Sequence, residues 1–315
     1  MDIEILLWFQ TIRQALGDTF TAIITYLSDY FCYFAIFFAF LYYWIGNKKL
    51  AKALITSYAF SVMANQFIKI TCCVYRPWVR DARVQPLELS KRGATGYSFP
   101  SNHTQTNMSI NGTLAKYSKK KLYVAINVAI IIFVAISRMY LGVHTPQDVL
   151  VGLIIGFIAI FIAAKYLQVA ENDPKLEKNL IILAIILSIL SILYAEFKPF
   201  PVDYANGEIL VDPVVMKKDS FRSIGIFVAA LLGIYLENKY VNFEKPKSTA
   251  EAIKREVLGL LGVAVIYGLC HYVLTLIMPV HYARFFESFG MIIWAVYLYP
   301  YCFTVLPNKK TKSPS

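Results

Sequence analysis

Apolar runs of about 20 residues, each long enough to cross a bilayer as a helix, recur along this chain. The run at 179–197, NLIILAIILSILSILYAEF, holds a single charged residue, Glu196. Nine such segments are read, near 28–46, 51–74, 101–116, 122–141, 147–168, 179–197, 220–237, 254–277 and 283–305. Composition agrees: 57% of the 315 residues are hydrophobic, 15% are aromatic and only 16% are charged. Soluble domains of this length do not combine so little charge with so much apolar surface. The expected fold class is therefore all-α, a polytopic transmembrane helix bundle of about nine spans. The third segment, SNHTQTNMSINGTLAKY, is too polar to face lipid and must be sheltered by its neighbours.

Residues 1–27 interleave apolar and polar positions and begin with acids where a signal peptide would be basic. No cleavable signal is expected there. The segment suits an amphipathic helix at the membrane interface, or a helix packed on the bundle. Three regions follow: an interfacial segment at 1–27, a core membrane domain at 28–168, and a C-terminal extension of about four spans at 169–315. Cys32, Cys72, Cys73, Cys270 and Cys302 show no zinc-ligand spacing and read as free thiols in or beside the spans. The net charge of +11 reflects basic membrane-flanking loops rather than nucleic-acid binding, since no basic helix or basic-aromatic module is present.

The larger share of those cations lies in one set of loops: Lys48, Lys49 and Lys52; Lys116 to Lys121; Lys165 to Lys178; Lys239 to Arg255; and the tail at Lys309 to Lys312. The positive-inside rule puts that set, and the C-terminus, in the cytoplasm. The opposite set is richer in arginine, and Arg76 and Arg138 fall at predicted span ends. Arginine is suited to bidentate phosphate contacts.

Three segments meet at that outer, periplasmic, exterior or lumenal face. In KITCCVYRPWVRD, Lys69 and Arg76 are seven residues apart, which on a helix places them on one face; Pro77 then ends or redirects the helix. Alone, this pair also fits two cations reaching for the interface. In GYSFPSNHTQTN, Ser98 is read as a helix cap and Pro100 as first-turn residue. The first-turn N–H groups would then surround Ser101, Asn102 and His103, a setting that binds anions. In SRMYLGVHTPQD, Thr145 and Asp148 have capping-box spacing, and Asp148 stands one turn beyond His144. An acid so placed accepts from one imidazole nitrogen and fixes the other as lone-pair donor.

Together they supply three cations (Lys69, Arg76, Arg138), backbone donors with Ser101, and two histidines, one backed by an acid. That inventory suits a phosphate monoester or diphosphate: one histidine attacks phosphorus and the other protonates the leaving oxygen. Carboxylates for a magnesium pair are lacking, so neither metal nor other cofactor is expected.

These segments resemble the three signature motifs of the type-2 phosphatidic acid phosphatase and vanadium haloperoxidase superfamily, in its integral membrane phosphatase branch. Lys69, Arg76 and Pro77 match the first motif; Pro100, Ser101 and His103 match the second; Ser137, Arg138, His144 and Asp148 match the third. The matching part runs from about 50 to 165. The further spans are similar in number to those of sphingosine-phosphate phosphatases and glucose-6-phosphatase. The resemblance implies that His144 forms a phosphohistidine, Asp148 orients it, and His103 is the general acid. It also implies that Lys69, Arg76, Arg138, Ser101 and the backbone at Asn102 hold the phosphoryl group. Asn102 stands where the family has glycine. If glycine serves there through its freedom at positive φ or its lack of bulk, asparagine weakens the site.

The expectation is a metal-independent membrane phosphatase acting at the non-cytoplasmic face on a phosphate monoester or diphosphate of a lipid, a sugar phosphate also being compatible, with the bilayer and the phosphorylated substrate as partners. Two rivals use the same segments. One is a phosphotransferase that passes the phosphoryl group to a lipid hydroxyl. The other is a lipid-binding or transport protein with a degenerate site. His271, His281, Arg284 and Glu287 near the C-terminus either add to substrate binding or are ordinary interfacial and core polar residues. The loop at 198–219 is a candidate cap over the site.

Overall fold

The computed structural model describes residues 2–205 and 207–310. Helices dominate: α1 (Asp2–Ile45), α2 (Lys48–Cys72), the short α3 (Pro77–Arg80) and α4 (Glu88–Arg92), α5 (Asn102–Tyr117), α6 (Lys121–Tyr140), α7 (Pro146–Asn172) and α8 (Pro174–Phe197). A two-stranded antiparallel hairpin, β1 (Tyr204–Ala205) and β2 (Glu208–Ile209), leads into α9 (Pro213–Tyr240). Then α10 (Thr249–Gly268) passes through a π-helical turn into α11 (Thr275–Ile277); α12 (Val280–Ile293) does the same into α13 (Tyr299–Lys310).

Helix stands at each of the nine segments read from the sequence. Among the described residues, however, six are long and apolar enough to cross a membrane: α6, α7, α8, α9, the run Thr249–Ile277 and the run Val280–Val305. The chain is an integral membrane protein with several transmembrane helices, and the expected count of about nine is not confirmed. For α5 the reason is plain. Its 16 residues rise about 24 Å, short of the ~30 Å hydrocarbon layer, and its sequence is polar.

The polar side chains of α5 are buried against other helices, where each needs a partner. Asn65 Nδ2 of α2 donates to Gln105 Oε1 at 2.8 Å, and Thr113 Oγ1 donates to Ser57 Oγ at 3.0 Å. On the far side, Asn107 Nδ2 donates to Cys32 Sγ of α1 at 2.7 Å. Helix α7 approaches α5 through two glycines one turn apart. A Cβ on Gly152 would stand 2.9 Å from the Ser101 carbonyl oxygen, and one on Gly156 would stand 2.6 Å from that of Gln105. Small residues four apart let helix backbones come this close in a membrane.

Gly17 bends α1, with φ 81° and ψ 169°, a conformation that a side chain would strain. The helix then continues unbroken through the boundary drawn at residue 27. Before the bend, Asp2 pairs with Arg80 at 3.0 Å and Glu4 with Arg83 at 3.1 Å. Beyond it a polar row faces the core: Thr21 meets Tyr140, Thr25 meets Ser90 and Ser28 meets Ser137. Steps of four and three residues keep that row on one helix face.

At the opposite end of the bundle, the fully buried Glu237 of α9 binds Lys48 at 2.6 Å and Lys52 at 2.7 Å, both from the first turns of α2. It also accepts from the backbone N–H of Phe243. A single carboxylate thus fastens the C-terminal helices to the core.

Candidate active site

Four helix ends share one end of the bundle. Helix α2 stops at Cys72, and Cys73 takes a left-handed conformation (φ 49°) while its N–H caps the Lys69 carbonyl. Pro77 disfavours helix at Arg76, which is extended (φ −63°, ψ 152°). Lys69 and Arg76 therefore do not lie on one helix face, as their spacing suggests. They reach the 96–100 loop from two directions. The ammonium of Lys69 donates to the carbonyls of Tyr97 (2.9 Å), Ser98 (3.4 Å) and Pro100 (3.0 Å), which takes up its three donors. Arg76 Nε donates to the Gly96 carbonyl at 2.8 Å.

That loop leads into α5, whose cap is Ser101 rather than Ser98. The Ser101 N–H donates to the Asp148 carbonyl at 3.0 Å, joining the start of α5 to the start of α7, and its hydroxyl lies 3.0 Å from that of Thr104. Ser98 turns instead to the third motif. Its hydroxyl donates to Asp148 Oδ2 at 2.5 Å.

The third motif folds as its spacing predicts. Thr145 and Asp148 form a reciprocal capping box at the start of α7. Asp148 Oδ2 lies 3.4 Å from His144 Nδ1 and also accepts from the Thr145 N–H at 2.8 Å. On the other edge of the imidazole, Arg76 Nη1 lies 2.9 Å from Nε2. Arginine only donates and a carboxylate only accepts. These partners therefore assign His144 the neutral form with its proton on Nδ1 and its lone pair on Nε2. Burial first, then the Arg76 charge, pull the His144 pKa well below the ordinary value of 6.5. Burial lowers Arg76 to about 10, which leaves it a cation at neutral pH.

Beside this group, His103 Nε2 and Arg138 Nη1 lie 3.0 and 3.1 Å from one oxygen of Asp29 on α1. The charges of Arg138 and Arg76 are close enough to interact, so the two groups form one cationic end. The structure thus brings together Lys69, Arg76, Ser101, His103, Arg138, His144 and Asp148. Asn102 differs. It is the first residue of α5, its φ is not positive and its side chain is exposed. The conformational freedom of glycine is not used there.

The C-terminal polar residues bind elsewhere. Arg284 pairs with Glu287 and His271, while His281 Nε2 lies 3.2 Å from Glu196. The 198–219 loop reaches the site's flank: the Tyr75 hydroxyl donates to Asp203, and Val211 and Met216 pack with Ile70 and Tyr97.

Two contributors are not evident from motif spacing. Ser98 reads as a cap in the sequence. Asp29 lies before the recognised motifs, yet it is the lone charged residue between Phe20 and Ile45. An ionisable side chain inside an apolar run is itself a functional signal.

Fold and site define an integral membrane protein with an Asp-backed histidine, a second histidine and two arginines at one end of its bundle. Residues 50–171 match the PAP2 superfamily, and residues 221–311 match the PAP2 superfamily phosphatase transmembrane extension. The chain belongs to the PAP2 superfamily. It is similar to an undecaprenyl-diphosphatase of Sulfolobus acidocaldarius, 27% identical over 42% of this chain and 63% of the relative. A lipid phosphate phosphatase delta of Arabidopsis thaliana is 26% identical over 38% of this chain and 32% of its own length. A phosphatidylglycerophosphatase B of Bacillus subtilis is 31% identical over 28% and 47%. The chain thus covers less than two thirds of each of these relatives. No solved structure matches it.

Proposed function

We propose that this protein is a metal-independent membrane phosphatase that hydrolyses a lipid phosphate monoester or diphosphate through a phosphohistidine on His144. The observation that carries this reading is the pair of partners on the His144 ring, Asp148 toward Nδ1 and Arg76 toward Nε2. Similarity to relatives named for lipid phosphates and a diphosphate supports the substrate class.

A phosphoryl oxygen entering beside Arg76 accepts its Nη1 donor and releases the Nε2 lone pair. Nε2 attacks phosphorus as the bond to the leaving oxygen breaks, and His103 gives that oxygen a proton. Burial and the Arg138 charge hold His103 neutral in the free site, and the negative charge of the incoming phosphate favours the protonated form that acts as the acid. Arg76 and Arg138 offset the growing charge. Water then attacks phosphorus, the P–N bond breaks, inorganic phosphate leaves, and the water's proton passes to His103. Lys69 acts mainly by fixing the loop that carries Ser101. Asp148 holds the ring so that Nε2 stays the lone-pair nitrogen.

The basic loops argue for a site at the non-cytoplasmic face. Lys48, Lys49 and Lys52 lie at the start of α2, while Lys69 and Arg76 lie at or just beyond its end.

The test is phosphate release by detergent-purified protein in EDTA, from phosphatidic acid, phosphatidylglycerol phosphate, a polyprenyl diphosphate, a sphingoid phosphate and glucose 6-phosphate. Release from a lipid substrate that vanishes in His144→Ala is expected. Turnover near wild type in that variant would overturn the mechanism. Phosphate found on a lipid acceptor would make the protein a transferase.

A further inference from the structure

We propose that the substrate's hydrocarbon chain lies in a groove between the core and the C-terminal helices, so that the extension selects a single-chain or diacyl lipid phosphate over a soluble one. This rests on the phosphatase reading above. A partly open cavity of about 440 Å³ is lined by α1, α2, α5, α9, α10 and α12, within the usual range for small-molecule sites.

Its two ends differ in chemistry. Gln66, Asn102, Asp219 and Arg222 line one end, while Tyr58, Val263 and Met291 wall the rest. The polar end abuts the phosphoryl site. Asn102 lies between Ser101 and His103, Gln66 is one turn before Lys69, and the charges of Asp219 and Lys69 interact. From there the groove runs away from the site along α2, Gln66 to Tyr58, and along α9, Asp219 to Ile226. Seven or eight residues of helix rise about 10–12 Å.

A cation at the polar end and aromatic and aliphatic walls beyond it fit an amphiphile with an anionic head. Asp219 tempers that charge, while Arg222 itself makes no ion pair among the described residues. A sugar phosphate has nothing to place against Val62, Ile226 and Met291.

The test uses full-length protein and alkyl monophosphates from butyl to dodecyl. Each buried methylene strengthens binding about fourfold, so kcat/KM is expected to rise at least tenfold along the series. Val263→Trp and Met291→Trp fill the groove and are expected to flatten that rise, costing dodecyl phosphate at least tenfold more than butyl phosphate. A slope unchanged in both folded variants, or a parallel loss on every length, overturns the proposal.

A second measurement needs neither folded variants nor turnover. A dodecyl phosphonate with a diazirine at its chain end is photolysed with wild-type protein. Crosslinks within 58–62, 223–226, 260–263 or 291–295, suppressed by unlabelled alkyl phosphonate, support the groove. Labelling elsewhere, or equal suppression by a neutral lipid, overturns it. If wild type hydrolyses none of the series while crosslinking falls in the groove, the phosphatase reading fails and the binding site stands.

Discussion

Asp29 Oδ1 stands 3.0 Å from His103 Nε2, and the same oxygen stands 3.1 Å from Arg138 Nη1. One carboxylate from the first long helix thus fixes the relative positions of a proposed proton donor and a proposed phosphate ligand. Helix α1 precedes the stretch matched to the superfamily domain, which begins at residue 50.

Asp29→Asn is expected to lower kcat/KM by about tenfold or more, because an amide cannot offer one anionic oxygen to both partners. In a double-mutant cycle with His103→Ala the losses should be far from additive. Additive losses would mean that Asp29 supports the fold and does not position His103.

The acid response of stability follows from His144. Its folded-state pKa lies well below 6.5, so below about 6.5 the unfolded chain takes up a proton that the folded chain does not. Stability from this group is complete above 6.5 and drains as the pH falls. Melting temperature should decline between about pH 7 and pH 5, and less steeply in His144→Asn. Equal slopes would place the acid sensitivity in other groups.

Removing the Glu237 carboxylate should destabilise the protein by about 3–5 kcal/mol, the usual cost of stranding a buried charge partner. Lys48 and Lys52 both converge on it. Thermal melts of Glu237→Ala in detergent test this; an unchanged midpoint would show that the two lysines find other acceptors.

Gly156→Leu should push α5 off α7, since even a Cβ would stand 2.6 Å from the Gln105 carbonyl. Overpacking of this kind costs about 1–3 kcal/mol. The shift should strain the bond from Ser101 N–H to the Asp148 carbonyl, so activity should fall more than stability. Full activity in a folded Gly156→Leu protein would show that α5 and α7 are coupled less tightly than their contact suggests.

Much of the site is legible in the sequence because its chemistry is local. The capping box at Thr145 and Asp148 needs only a spacing of three, and it carries His144 with it. Lys69 and Arg76 do converge, but not through a shared helix face: the helix stops at Cys72, where Cys73 turns left-handed, and the loop carbonyls gather the two cations. Ser98 is easily misplaced because a serine before a proline looks like a cap, while its partner Asp148 lies 50 residues away. Asp29 pairs with partners at 103 and 138, beyond any spacing rule, although its isolation in an apolar run is visible. The concern over Asn102 comes from motif comparison alone; its backbone is ordinary helix. As for span count, apolar runs reveal helices, but α5 shows that a helix inside the bundle need not cross the bilayer unaided.

That helix also constrains how the protein is made. Gln105, Asn107, Ser109, Asn111 and Thr113 of α5 are all buried, and their partners come from α1, α2 and its own turns. Exposed to lipid alone, Gln105, Asn107 and Thr113 would forfeit their bonds to α1 and α2, and each unsatisfied polar group costs several kcal/mol in hydrocarbon. During biosynthesis α5 therefore has no stable resting place until α1, α2 and α7 are beside it, so the end of the bundle that carries the candidate site is assembled as a unit during membrane insertion.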